Sequence, residues 1–546
     1  MKKVLVLFLS AVLVMSLLFT ACSGGGGGTT EATTQAAAQT TAATQTTAAA
    51  AETTEAAETT AAAQETTAAA QTTQAAAEPA DIVPIKITFP GNMPEEWDRK
   101  KALLDAKMQA DGLNVELDTI YIPFAELLQK NQLMMNASED IDLLFDAPFA
   151  SIVQNIAAGF YEPLEDLLAQ YGQNIVRTRG DFMMEANKFN GRIYGIPMGV
   201  AHKAPTRIVF REDIRQELGI DMPTNWEELF DMARKFKAHD PDKPVFGASA
   251  DNYRWVRIKS HGINILGLND YIPDFYLDPG GTTVKHPVIE KENGVLWPLY
   301  QEARMMFLEG LIDPDALSVN EQGDSFMSGK VSMLLTVEAG ISQTQKDELA
   351  ANIPGALMQE VSFPELVTYT DGKAYTHFKQ WNYQVVPIQS KKKELAISLL
   401  DWTNASQENY DLCAYGVEGE DWERVGEQQY RPLKEWGVYG FAWIWNPLYH
   451  RISVDLTQQM YEMQLDFMNQ DYFEPSAWMG FTFDSEPVKN EWAQHQAIFA
   501  KYIGIEFGMV DPMETLLKWE EEDIRNINVI LPEIQRQLDA HLASAG

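Results

Sequence analysis

The side chains of this 546-residue chain that could do chemistry are aromatic and acidic, with 13 Trp, 19 Tyr and 25 Phe against only 8 His and 2 Cys. The histidines are scattered, with no HExxH and no pair at ligand spacing, so no zinc site is legible. Ser328-Gly329-Lys330 has the ending of a phosphate-binding loop, but Val331 stands where Ser or Thr is needed and Gly323 is one residue out of register. Gly329 therefore reads as a turn before a strand. Gly247-Ala248-Ser249-Ala250 lacks the second glycine of a nucleophile elbow. Paired carboxylates could cleave glycosides, yet 78 acidic residues guarantee chance pairs, so pairing alone points nowhere. What the aromatics offer is recognition. A sugar ring stacks its C–H face on a Trp or Tyr plane while its hydroxyls need a few oriented Asp, Asn or Glu partners. No catalytic residue, cofactor or metal is expected.

The elements that must position such side chains alternate strand and helix. Ile85 to Phe89 reads as a buried strand ended by Pro90-Gly91, Glu95 to Ala110 as a helix stopping at Gly112, and Asn114 to Ile122 as a second strand. Pro123 to Met135 is helical again and Ile141 to Phe145 is a third strand. This β-α-β-α-β order predicts an α/β fold with right-handed crossovers and a parallel sheet. Ligands of such sheets sit beyond the carboxyl ends of the strands, which nominates Asn92, Trp97, Asp146 and Phe149. Further along, Asn190-Gly191 signals a hairpin. Arg207 to Arg211 reads as a strand, and Thr224 with Glu227 as a capping box for the next helix. Val331 to Val337 and Asn382 to Val386 read as strands. Trp443 and Trp445 lie on one side of an extended segment or at the rim of a loop, and Trp381 and Trp478 add two more candidate stacking planes. Trp226 and Trp519 have helical spacing and apolar neighbours, so they are expected in the core. Beyond Gln389 the chain reads as largely helical, with Gly416 as an αL cap and Pro512 to Ala543 as a helical pair.

The N-terminus sets the location. Lys2 and Lys3 precede the apolar run Val4 to Phe19, then Thr20-Ala21-Cys22: a secretory signal (1–21), whose apolar run falls short of the roughly 20 residues that span a bilayer. Its end resembles a bacterial lipobox, in which Cys22 becomes the lipid-bearing first residue. Residues 22–80 hold five glycines and then Thr, Ala, Gln and Glu, a composition with nothing to bury. As a coil, this tether would reach about 40 Å. A multiply acylated, palmitate-bearing Cys22 would hold the chain at the outer leaflet of the cell membrane. The body, 81–546, is too long for one ordinary core, so two lobes are expected. A net charge of −36 disfavours nucleic acid, anionic lipid surfaces and strongly anionic glycans, while permitting a local basic pocket around Arg254 or Arg257. Once Cys22 is lipidated, Cys413 has no disulfide partner within the chain.

Three groups of residues resemble family 1 extracellular solute-binding proteins, the capture subunits of sugar ATP-binding-cassette importers. The first is Asn190 to Pro197 with Phe210 to Asp213, Glu217 to Ile220 and Pro223 to Leu229. The second is Phe307 to Pro314 with Phe326 to Met333. The third, Gly416 to Trp422 with Gly480 to Asp484 and Pro487 to Glu491, is similar to the C-terminal part of long lipoprotein members. The resemblance implies a periplasmic-binding-protein-like clamp with a helix-rich C-terminal part. Lobe 1 would comprise about 81–200 and 340–386, and lobe 2 about 205–336 and 388–546. Crossings would fall near 197–209, 336–340 and 383–387. It also places carbohydrate contacts at Tyr253 and Trp255, and brings Glu338 to the second crossing. A calcium loop of some relatives is not expected here, because Asp240 to Pro244 is too short and poor in ligands. The partners implied are a carbohydrate, membrane permease subunits and the membrane itself, with the chain a monomer. Two other readings fit a tethered body: a surface glycoside hydrolase or lyase, and a sensor presenting ligand to a membrane kinase.

Overall fold

The computed structural model describes residues 81–123, 126–148, 150–199, 205–247, 257, 264–265, 275–277, 281–318, 322–336, 341, 343–369, 371–438 and 445–545. The chain divides into a unit 1–76, outside the described residues, and a unit 77–546. Within the latter, two sheets organise two lobes. Among the described residues no helix is long and apolar enough to cross a membrane.

The first sheet grows from β1 (Val83–Pro90), whose Ile85, Ile87 and Phe89 are at most 1% exposed. These three share one face, since strand side chains alternate, and Thr88 is buried on the other. β1 pairs in parallel with β2 (Val115–Ile122) from Val83↔Val115 to Pro90↔Ile122. β3 (Leu144–Asp146) runs parallel beside β1 through the bridge Ile87↔Leu143. The parallel β-α-β-α-β start is therefore present. It is then completed by antiparallel partners: the strand Tyr383–Val385 lies between β3 and β4 (Gly195–Pro197), with Tyr383 opposite both Asp146 and Pro197. The ends of β1 to β4 and the start of Tyr383–Val385 thus share one edge.

The second sheet is ordered Met358–Val361, β5 (Arg207–Arg211), Met333–Thr336, Phe246–Gly247. Arg207 opposes Thr336, so the start of β5 and the ends of its neighbours also share an edge. The chain leaves the first sheet after Pro197 and enters the second at Arg207.

Two lobe boundaries differ from expectation. The return into the first lobe near 340 does not occur there: Met358–Val361 pairs with β5, and the first sheet is rejoined only at Tyr383. Nor do residues 388–546 all belong to the second lobe. Helices Lys393–Thr403 and Gln407–Tyr415 bury Ile397, Leu400, Trp402 and Tyr410 in one core with Ile85, Ile87, Leu104 and Val115. Phe499 and Trp519, further on, pack with Phe210, Trp226 and Tyr300 in the second lobe. Both misplacements reflect long-range pairing that a local pattern does not encode.

Local chemistry also shifts some details. The helix Trp226–His239 is capped by Asn225, which accepts from Glu228 N, while the Glu228 carboxylate accepts from Thr224 N and Oγ1. The cap lies one residue later than predicted, and the carboxylate that reaches back bonds the residue before the cap rather than the cap's own N–H. Gly416 has positive φ (+90°) but ψ −148°, outside αL, and a Cβ there would meet Trp436 at 2.4 Å. Pro512–Ala545 is one helix with Pro532 inside it, not a pair. Trp226 and Trp519 are core residues as expected, and Cys413 is buried and free.

Candidate functional site

The shared edge of the first sheet is where loops from four strands converge. Just beyond β4, Met198 is 4% exposed and packs with Trp445, also 4% exposed, and with the half-buried Trp381. Trp381 directly precedes the strand Tyr383–Val385, so two chain crossings and a distant loop meet in one apolar face. Trp445 lies 3.8 Å, ring centre to ring centre, from His450. His450 Nδ1 in turn sits 3.3 and 3.2 Å from the hydroxyls of Tyr410 and Tyr415. The adjoining Arg451 makes a buried ion pair with Asp411 at 2.9 Å, which anchors the loop.

Two buried N–H donors of these segments have no acceptor among the described residues: Trp445 Nε1 and, on the residue after Trp381, Nδ2 of Asn382, itself 2% exposed. A buried donor left unpaired costs about 1–3 kcal/mol, so each is suited to an incoming oxygen. Beneath the face lies Arg179, 4% exposed. Its Nε donates to Pro197 O at 2.7 Å, and its Nη1 donates to Asn404 Oδ1 at 2.9 Å. Asn404 Oδ1 also accepts from Asn446 Nδ2 at 3.0 Å, joining the first crossing to the residue after Trp445. Burial pushes the Arg179 guanidinium down to about 10. Gly199 lets this side chain pass: it has φ +87°, and a Cβ would lie 2.3 Å from Arg179 Cδ. Gly199→Ala is therefore expected to cost about 1–3 kcal/mol through overpacking and a disfavoured backbone, measured by urea denaturation. A loss below about 0.5 kcal/mol would contradict that packing.

Of the residues nominated from sequence, Trp381 and Trp445 come together at this face. Asn92 is exposed on the loop after β1. Trp97, 7% exposed, is core: its ring meets Tyr121 edge-on at 5.4 Å. Asp146 is fully buried and accepts from Ala147 N, Ser151 N, Asn155 Nδ2 and Tyr161 Oη, so it pins the loop after β3. Burial still pushes its carboxyl above the usual range. Trp478 is 1% exposed, in the helical core of the second lobe beside His377. Phe149, Tyr253, Trp255, Glu338, Trp443 and Cys22 lie outside the described residues. Sequence reasoning missed Met198, Asn382 and Arg179. The first two adjoin segments already recognised as crossings, whereas Arg179 sits in a helix with no local signal. Among the described residues no group of three His, Cys, Asp or Glu could hold a metal ion.

Comparison with known proteins gives a consistent picture. The family description "bacterial extracellular solute-binding protein" matches residues 94–408, and a domain of unknown function, DUF3502, matches 477–543. The chain is 22% identical over 480 residues to a carbohydrate ABC transporter substrate-binding protein of Streptococcus pneumoniae, covering 85% of this chain and 92% of that one. It is 23% identical over 273 residues to the lipoprotein LipO of Bacillus subtilis, covering 48% of this chain and 51% of that one. The fold is similar to the crystal structure of the N-glycan transport solute-binding protein NgtS of S. pneumoniae, with a TM-score of 0.66 at 21% identity over 85% and 100% of the two chains. The structure of NgtS in complex with Man1GlcNAc matches with a TM-score of 0.64 at 21% identity over 84% and 99%.

Proposed function

The chain belongs to the family of bacterial extracellular solute-binding proteins, and from that premise we propose that it captures a carbohydrate, probed best as an oligosaccharide, for import by an ABC transporter. The observation that carries this reading is the face of Met198, Trp381 and Trp445, whose segments hold two donors, Trp445 Nε1 and Asn382 Nδ2, with no acceptor among the described residues. It supplies what a sugar demands: an aromatic plane for C–H faces and directed N–H groups for ring or hydroxyl oxygens. The likeness to carbohydrate-binding relatives supports the same ligand class.

The mechanism is capture by closure, without covalent chemistry. A guest touching both lobes binds the closed arrangement better than the open one, and its differential affinity is what shifts the population. The closed form is then what the permease subunits recognise. Lipidation of Cys22 and the tether of residues 22–80 keep a monomeric body at the outer leaflet, a reading that the likeness to LipO supports. A thermal-shift screen of the pure protein against a glycan panel tests the proposal. A specific oligosaccharide at about 100 times its Kd should stabilise the fold by about 2.7 kcal/mol, with no products formed. Hydrolysis or elimination products, or stabilisation by none of the panel's neutral oligosaccharides, would refute it.

A further inference from the structure

The C-terminal domain of unknown function reaches the crossing that carries Trp381. Just ahead of that domain, the strand Phe473–Pro475 pairs in parallel with Ala374–Thr376, and Ser476 N donates to Thr376 O at 2.8 Å. One residue on, the His377 ring lies 4.6 Å from that of Trp478. Lys379 Nζ donates to Thr482 Oγ1 at 2.9 Å and to Lys188 O at 2.8 Å, with Phe189 under the ammonium at 3.9 Å. A single amine therefore joins the crossing, the C-terminal domain and the first lobe. Loss of water around it pushes it down to about 7.

Between these two anchors the chain is strained. Phe378, 1% exposed, has φ +56°, a left-handed conformation rare for a bulky residue. Such residues persist only where the surroundings over-determine them. Here Asn187 Nδ2 donates to Phe378 O at 3.0 Å, and Asn187 Oδ1 accepts from Gln380 N at 2.7 Å and from Tyr383 Oη at 2.7 Å. Trp381 and Asn382 follow immediately.

We propose that the 477–543 domain acts as a brace for this crossing, holding residues 376–382 through Trp478 and Thr482 so that Trp381 and Asn382 are positioned for the ligand. Thr482 and Lys379 are positioning residues in this account. The inference rests on the reading that Trp381 and Asn382 face the sugar. Its test needs no sugar, so a failed glycan screen and a failed brace give different results.

The experiment is amide hydrogen exchange of the unliganded full chain as wild type, Thr482→Val and Thr482→Ser, with fluorotryptophan NMR of Trp381 assigned through Trp381→Phe. Val keeps the shape of Thr482 and removes the acceptor, whereas Ser restores it. A hydrogen bond whose loss leaves a buried donor unpaired is worth about 10-fold or more in a local opening equilibrium. Amides of 378–386 should exchange at least about 10-fold faster in Thr482→Val and at wild-type rate in Thr482→Ser. The Trp381 resonance should shift in the first variant only, and the helices Lys489–Tyr502 and Pro512–Ala545 should keep their protection. Unchanged exchange at 378–386, an unmoved Trp381 resonance, or acceleration spread through both helices would overturn the proposal.

Discussion

Glu360→Gln is expected to lower the unfolding free energy by about 3–5 kcal/mol, the largest stability effect of any single substitution considered. Arg207 and Glu360 face each other across neighbouring strands of the second sheet, at 1% and 3% exposure, with Nη1 donating at 2.7 Å. Arg207 Nε has no acceptor among the described residues, so the guanidinium is already short of partners. Neutralising the carboxylate would leave a buried charge with nothing to offset its desolvation. Attraction alone does not make such a pair a net gain, because removing two ions from water costs several kcal/mol each. The double variant Arg207→Met/Glu360→Leu is therefore expected to regain most of the loss. Urea denaturation of the two variants checks both halves. A single-variant loss under about 1 kcal/mol, or a double variant weaker than the single, would contradict this description of the pair.

Trp445→Ala is expected to weaken oligosaccharide binding by about 100-fold, roughly 2.8 kcal/mol at 1.4 kcal/mol per factor of ten. That size is typical of a buried aromatic anchor at the centre of a contact. The substitution removes the stacking plane against Met198 and Trp381 together with a donor that has no acceptor among the described residues. Trp226→Phe is the control. Trp226 is buried against Phe230 and Phe363 in the second lobe, so its replacement should reduce stability and leave the affinity of the folded protein unchanged. Isothermal titration with the sugar found by thermal shift decides the matter. Equal losses in both variants would mean that Trp445 acts only through stability.

The sequence made the local elements legible and the distant pairings illegible. β1, β2 and β5 fall within about two residues of their expected spans, because apolar runs bounded by Pro, Gly and charged residues fix a strand where it stands. The allotment of Met358–Val361 and of residues 393–438 to lobes depended on partners far along the chain. Only the tertiary structure shows Tyr383–Val385 inserted between β3 and β4. The candidate site divides in the same way. Aromatic supply singled out Trp381 and Trp445, but the same signal singled out Trp97 and Trp478, which the core absorbs. A Trp beside a turn satisfies either environment, and nothing in its neighbours tells which face of the backbone will look inward. Asp146 shows the converse. It stands at the carboxyl end of a strand, where ligand contacts gather, yet five donors from Ala147, Ser151, Asn155 and Tyr161 saturate it. Arg179 has no signature in sequence at all, since its partners are a backbone oxygen, the adjoining Thr178 hydroxyl and an Asn more than 200 positions away.

The central claim is that an oligosaccharide is held between the lobes against the Met198–Trp381–Trp445 face and draws them together. Small-angle X-ray scattering of the protein, with and without a saturating oligosaccharide from the thermal-shift screen, tests it most directly. The radius of gyration should fall on saturation, fall less with Trp445→Ala at the same sugar concentration, and the sugar should be recovered intact afterwards. An unaltered radius of gyration in a wild-type sample shown to be saturated would contradict it.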